Sequence, residues 1–481
     1  MTVAPAGLED DELLRMPARR QAELVANRQV SPVELVRSAL RRIELLDDSI
    51  GAFITVAADQ ALEAAQRAEQ AVMSGDSIGP LHGVPISIKD IEATSGIRTT
   101  LGSRVHEDTV PDFDSVVVER VRNSGAVIIG KTNTPEIAIH MDTVTDNEVR
   151  GPCRNPWDLS RTTGGSSGGA AAALATDMCQ LAVGSDGGGS IRIPASFCGV
   201  FGLKPSSGRV PRARGLGQPD PNQFAQSGPM TNDVRDAALL LQTIAGPHPA
   251  DPQQFNRSDP PQFAAEIEQG VRGMRIGWSP DLGYGAVDQS VLEQVRSGAQ
   301  LMEDLGAQVF DLDIDLSPNL ADHFWNVFGA NAFVQFGHML DDPRLGDGAR
   351  KVLEKGRSIA GHQYAASLRA VNELRLQMST VMSMFNLVVT PTTSITAFRP
   401  GQRPQAVDGK KVDSAYGVFP FTYIFNMTGQ PAATVPCGFA GGLPVGMQIA
   451  GRLGDEASVL RAAAAFEEAR PWRGVRPTAV T

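Results

Sequence analysis

What the chain lacks narrows it first. Only four of its 481 residues are cysteine, Cys153, Cys179, Cys198 and Cys437. They form no CxxC pair and no dense framework, which argues for reduced, buried thiols of a cytosolic protein and against a disulfide scaffold. No apolar run reaches the roughly 18 residues of a membrane span, and the N-terminal MTVAPAGLEDDELL is acidic where a secretory leader is basic. A soluble, cytoplasmic protein is expected. Basic excess is missing too: 43 Lys and Arg face 54 Asp and Glu, a formal net charge of −11. Neither nucleic acid nor an anionic membrane is therefore an expected partner, and a small neutral or weakly charged molecule is. The HExxH metal motif, a GxSxG elbow and the GK[ST] ending of a phosphate loop are all absent. No metal and no cofactor are expected. The seven histidines, His82, His106, His140, His248, His323, His338 and His362, read as packing or surface residues.

What is present is an ordinary globular composition, 42% apolar and 20% charged, with strong local punctuation. Ser31-Pro32-Val33-Glu34 starts a helix that is predicted to reach about Leu46, and a second runs from about Asp59 to Met73 before Gly75. LHGVPISIKD alternates as a strand with Lys89 at its far end. SVVVERVRNSGAVIIG reads as helix, glycine stop and strand, an α/β unit that implies a mostly parallel sheet. The segment from Pro205 to Gly228 is rich in Gly, Pro and Arg and suits either a lid or a solvated loop. The α/β theme returns after Met274, and residues 320–384 read as helical with Phe324, Trp325, Phe328, Phe333 and Phe336. Those rings are core packing or an aromatic, acyl- or aryl-binding wall. NLVVTPTT is predicted as a strand, FTYIFNMTGQPAATVPCGFAGGLPVGMQIAGR as short apolar strands, and 456–469 as a last helix.

The densest chemistry lies in TGGSSGGAAAALATDMCQLAVGSDGGGSIRIP, from Thr163 to Pro194. Two serine sites, Ser166-Ser167 and Ser190, are each flanked by glycines whose N–H groups no side chain shields. Such a loop suits a nucleophilic hydroxyl with an oxyanion hole, or simply a tight turn. Taken alone, Lys89 would read as a solvated charge at a strand terminus.

LHGVPISIKD, GGSSGG, SDGGGSIRIP and FCGVFGLKP, in that order and joined by GPCRNPWD, SGPM, VVTPT and GLPVGMQIAGR, strongly resemble the amidase signature family of serine hydrolases. The resemblance runs from about residue 20 to about 470. It implies an α/β fold, a single α/β/α domain over 1–481 built on a mixed sheet of about eleven strands. N-terminal helices would occupy about 8–75, a catalytic core about 76–245 and a helical and strand-rich remainder about 270–475. It also implies a triad of Lys89, Ser166 and Ser190, with a cis bond before Ser166. Ser190 would attack, Ser166 would pass its proton to a neutral Lys89, and Gly187, Gly188, Gly189 and the Ser190 N–H would hold the oxyanion. Asp186 and Arg192 would shape the loop, and Ser167 would be a structural hydrogen-bond donor. Two places depart from the family pattern. Gly187 replaces a bulky apolar residue, which implies room beside the carbonyl. IHMDTVTDN replaces a small Gly/Ser segment and puts Met141, Asp142 and Thr143 at the acyl pocket as substrate-binding candidates. The implied activity is hydrolysis of carboxamide C–N bonds, with anilides and carbamates (urethanes) as further substrates and an apolar or aromatic group favoured. The alternative is the glutamine-hydrolysing component of an amidotransferase, which takes ammonia from glutamine for a tRNA-linked acceptor and requires partner proteins. The assembly is left open between monomer and homodimer.

Overall fold

Ser31 does what its capping chemistry dictates. Its hydroxyl accepts from the Val33 N–H at 3.0 Å, and the Pro32–Ile50 helix runs to Gly51, whose φ of 70° ends it. The helix passes the expected stop at Leu46 because Ile50 completes its buried stripe of Leu35, Val36, Ala39, Ile43 and Leu46. The computed structural model describes residues 10–140, 142–216, 222–254, 260–317, 319–412 and 415–477.

Eleven strands form one sheet: β1 Phe53–Val56, β2 Pro85–Lys89, β3 Val127–Thr132, β4 Leu181–Asp186, β5 Phe201–Lys204, β6 Gln226–Thr231, β7 Arg275–Trp278, β8 Gln308–Asp311, β9 Leu387–Pro391, β10 Ala432–Ala440 and β11 Leu443–Gly451. Their order is β1-β3-β2-β4-β6-β5-β10-β11-β9-β7-β8. The fold is α/β with a mixed sheet, and the expectation of mostly parallel pairing is corrected. Parallel pairs are confined to β3-β2-β4 and β9-β7-β8, while the middle runs antiparallel through β4-β6-β5-β10-β11-β9. Two features account for this: β10 and β11 are a hairpin closed at Gly441-Gly442, and β6 slots between β4 and β5.

Strand alternation sends side chains to opposite faces. Ile86, Ile88, Leu181 and Val183 join one large core cluster, while Ala182 joins a second with Val127 and Ile129. Lys89 shares parity with Ser87, so it leaves the sheet away from Ile86 and Ile88. On the second face lies the Gly168–Ala175 helix, all eight residues buried. Its small side chains permit this depth: a β-carbon on Gly169 would meet Ala52 O at 2.3 Å and Asn133 N at 2.4 Å.

Two further expectations change. FTYIFNMT is not a strand; Thr422–Thr428 is a short helix with every residue buried, stopped by Gly429 at φ 79°. Burial on all sides removes the periodicity that distinguishes helix from strand. The SGPM segment, by contrast, lies in the central strand β6, which Pro229 and Gly228 conceal in the sequence. No helix of the described residues is long and apolar enough to cross a membrane.

Candidate active site

The C-terminal ends of the adjacent parallel strands β2 and β4 bring Lys89, Ser185 and Asp186 together, the usual place for ligands in such sheets. Lys89 is fully enclosed, with 0% exposure. Its Nζ lies 2.6 Å from Ser166 Oγ and 2.9 Å from Ser185 Oγ. Burial pushes its pKa down to about 7, against the opposing pull of the Asp186 and Glu92 carboxylates. A lysine so placed exchanges between ammonium and amine near neutrality.

The two glycine-flanked serine sites converge. The Gly165–Ser166 peptide bond is cis, and the Ser167 N–H donates to the Ser190 carbonyl at 3.0 Å. Ser167 Oγ lies 3.2 Å from the Ser185 carbonyl and 3.3 Å from the Ser185 N–H, which fixes the turn against β4. Ser166, Ser185 and Ser190 all face one cavity with Gly187 and Gly188.

Beneath the loop, Asp186 and Arg192 form a pair with 0% exposure on either side chain. Arg192 donates to both Asp186 oxygens at 2.9 Å, to Thr422 O at 2.8 Å, to Gln448 Oε1 at 2.7 Å and to Asn426 Oδ1 at 2.6 Å. Burial alone would push the Asp186 carboxyl up, but the Arg192 guanidinium and the Asn426 amide hold it well below the usual carboxylate range. Asp186 also accepts the Gly189 N–H at 2.7 Å. That bond corrects the expectation for Gly189: its N–H is committed to the loop's own scaffold, and Gly189 does not line the cavity. Gly187 and Gly188 do, the latter fixed by the Thr422 hydroxyl donating to its carbonyl at 2.7 Å.

Around the loop the cavity is lined by polar and apolar groups in nearly equal measure. Trp325, Phe328 and Phe336 of the Leu320–Phe336 helix form one wall with Tyr416, and Ile91, Leu101, Ile137, Ile139 and Val144 are among its other apolar lining residues. Phe324 stands behind, stacked on Phe328 at 5.4 Å, and Phe333 takes no part in the lining. Gly187 leaves room that this wall uses: a β-carbon there would lie 3.3 Å from Phe328 Cε2 and 3.5 Å from Ala225 Cβ. From the Pro205–Gly228 segment, Arg212, Ala213, Gly215, Leu216, Asn222, Ala225 and Ser227 border the cavity.

Of the three acyl-pocket candidates, Thr143 lines the cavity. Asp142 does not; it accepts from Arg403 Nε at 2.8 Å, and this ion pair turns its carboxylate aside. Met141 lies outside the described residues. His140, read as packing or surface, lines the cavity and accepts from the Asp142 N–H at 3.1 Å. Sequence reasoning also missed Ser185, although it stands inside SDGGGS beside Asp186. It missed Tyr416 and Glu92 altogether, since neither sits in a glycine-framed motif.

A mixed sheet with a deprotonable lysine at one strand end and serines on the adjoining glycine-rich loops is the site of an α/β enzyme that can activate a hydroxyl, and comparison with known proteins gives its class as amide hydrolase. A family model described as Amidase matches residues 34–460, and the chain belongs to the amidase signature family. It is 35% identical to an acylamidase of Rhodococcus erythropolis over 98% of both chains. Against a glutamyl-tRNA(Gln) amidotransferase component of Moorella thermoacetica it is also 35% identical, over 97% of this chain and 99% of that one. Among solved structures it matches a bacterial aryl acylamidase of the same family with a TM-score of 0.88 at 33% identity, covering 95% of this chain and 96% of the other.

Proposed function

We propose that this chain is a cofactor-independent serine amidase, a single domain whose sheet draws strands from both halves of the sequence. Ser190 attacks the carbonyl carbon of an amide, Ser166 takes the Ser190 proton and passes its own to Lys89, and an acyl–Ser190 ester forms. Breakdown of the tetrahedral adduct breaks the C–N bond, and the amine leaves with the proton returned through Ser166. Water then attacks the ester by the same route, releasing acid and free Ser190. The N–H groups of Gly187, Gly188 and Ser190 hold the oxyanion, each donor worth roughly 2.7–4 kcal/mol in such sites. The observation that carries this reading is Lys89 Nζ at 2.6 Å from Ser166 Oγ with its charge destabilised by burial.

The aromatic wall supports amides with an apolar or aryl group, in line with the acylamidase and aryl acylamidase relatives, and carbamates share the carbonyl geometry. Four buried, free cysteines support a reducing compartment. The second reading, the glutamine-hydrolysing component of an amidotransferase, rests on the equal identity to the Moorella protein. Its substrate needs charged partners for ammonium and carboxylate. In the cavity, Glu92 is bonded to Ser227 Oγ at 2.6 Å, and Arg212 to the Asn222 and Ala225 carbonyls at 2.9 and 3.1 Å. The deciding experiment is a panel of anilides, aliphatic amides, carbamates and glutamine with wild type, Ser190→Ala, Ser166→Ala and Lys89→Ala. Anilide turnover by the wild type, an acyl adduct seen by mass spectrometry, and loss of several orders of magnitude in kcat in every variant are expected. Turnover of the Ser190→Ala protein at the wild-type rate would overturn the assignment, and activity on glutamine alone would favour the second reading.

A further inference from the structure

The chain has four tyrosines, and three have a hydroxyl partner. Tyr284 donates to the Pro420 carbonyl and lies 3.2 Å from the Tyr423 hydroxyl, and Tyr364 donates to Asn331 Oδ1 at 3.4 Å. Tyr416 has none among the described residues, although a phenol packed in an apolar setting ordinarily finds a partner. Its position is the reason for interest. Tyr416 lines the cavity, and a β-carbon on Gly188 would stand 2.8 Å from Tyr416 Oη, so the hydroxyl rests against the backbone of the loop beside Ser190. The ring cannot swing freely. Its centroid lies 4.9 Å from Tyr423, 5.1 Å from Phe324 and 5.7 Å from Trp325. Burial, with the neighbouring Tyr423 and the Asp186 charge, pushes its ionisation far above the ordinary phenol, so the group is a neutral O–H that can donate.

We propose that Tyr416 Oη is an additional donor to the substrate at this loop, giving its hydrogen bond to the oxygen that becomes the oxyanion when Ser190 attacks. A donor without a partner among the described residues, held by three aromatic contacts against the Gly188 backbone, needs no reorganisation to meet a charge that develops at this loop. No proton is transferred from Tyr416: the hydroxyl keeps its hydrogen throughout, and the oxyanion's electron pair re-forms the C=O bond as the C–N bond breaks and the nitrogen takes the proton returned through Ser166. The inference rests on the acyl-Ser190 reading.

Tyr416→Phe keeps the ring and removes only the donor. On a neutral aryl anilide, kcat is expected to fall about 100-fold with KM changed less than about threefold, as for loss of one oxyanion donor. Phenylboronic acid, which forms a tetrahedral anion on a serine, should bind the variant at least about tenfold more weakly, while the acid product binds unchanged. Tyr416→Leu serves as the packing control. If Tyr416→Phe turns over at the wild-type rate and only Tyr416→Leu is impaired, the residue is packing alone and the proposal is overturned. Equal weakening of boronate and product overturns it too, by assigning Tyr416 to ground-state binding. Failure of the underlying reading looks different, since Ser190→Ala would then retain turnover and boronate affinity.

Discussion

A lysine enclosed on every side cannot hold its charge as a surface lysine does, and Lys89 shows what that permits. With its pKa lowered to about 7, it is protonated in mild acid, where it cannot accept a proton from Ser166, and neutral above that. The kcat/KM for a chemistry-limited anilide should therefore rise with pH through about 7 and level off on the alkaline side; a flat profile from about pH 5.5 to 9 would remove Lys89 as the base. Gly187 supports a second residue-scale prediction. The gap beside it is bounded by Phe328 at 3.3 Å and Ala225 at 3.5 Å, so Gly187→Val should fold but crowd the carbonyl. We expect KM for a bulky acyl group to rise ~10-fold or more while an acetyl anilide changes little, measured across an acyl-length series. At this scale the serines and glycines were legible because their motifs are contiguous. The environment of Lys89 was not: PISIK by itself is an ordinary strand, and only burial beside Ser166 and Ser185 brings the pKa of its last residue down to about 7. Asp142 shows the converse, a residue named for the pocket that a distant Arg403 turns away.

At the scale of elements, the Asp186–Arg192 pair joins β4 and the Arg192–Cys198 helix to the Thr422–Thr428 helix and β11. Acceptors from three segments meet one planar guanidinium, and an ammonium cannot reproduce that fork. Arg192→Met, which removes the cation and leaves the buried Asp186 charge uncompensated, should thus lower stability by about 3–5 kcal/mol and reduce turnover because the Gly187–Ser190 loop loses its anchor. Urea unfolding alongside kinetics checks both; an unchanged unfolding midpoint would show that the pair is replaceable. Elements with one wet face were readable from sequence: Glu456–Ala469 begins and ends where its pattern says. Among those enclosed on every side, β2, β3 and β9 were readable as strands from their β-branched runs, and two elements were not. The Thr422–Thr428 helix carries aromatic and β-branched residues that read as strand, and β6 carries a proline that reads as loop, because tertiary burial overrides local propensity in both.

Across the whole molecule, a charged cluster ties the Val234–Ile244 helix to the chain's early and late segments. Glu467 is packed there with its Oε2 accepting the Val234 N–H at 3.1 Å and its Oε1 buried without a partner among the described residues. Arg235 faces Glu467 at 3.9 Å, while Arg19 pairs with Asp233 and Asp236 and Arg473 with Asp233. Burial and the nearby Asp233 charge raise the Glu467 pKa above its usual value. The sign follows: a carboxyl whose folded-state pKa exceeds the unfolded one stabilises the fold below the unfolded pKa, and that contribution is lost as pH rises through the folded value. Glu467→Gln should accordingly raise Tm at about pH 8 and leave it nearly unchanged at about pH 4.5, by thermal denaturation at both; the same shift at each pH would show that ionisation is not the cause. The mixed order of the sheet was not readable from α/β alternation, since hairpin closure at Gly441-Gly442 and the insertion of β6 depend on contacts between segments far apart in sequence.

The cavity's two sides also come from different parts of the chain. Lys89, Ser166, Ser185 and Ser190 lie within the first 190 residues, whereas the aromatic wall is contributed by Leu320–Phe336 and Tyr416. Heritable change can therefore act on the two separately. Mutations in the Leu320–Phe336 helix can alter which molecules are admitted while the Lys89, Ser166, Ser185 and Ser190 cluster stays as it is, and a lineage can acquire new substrates by changing that one wall.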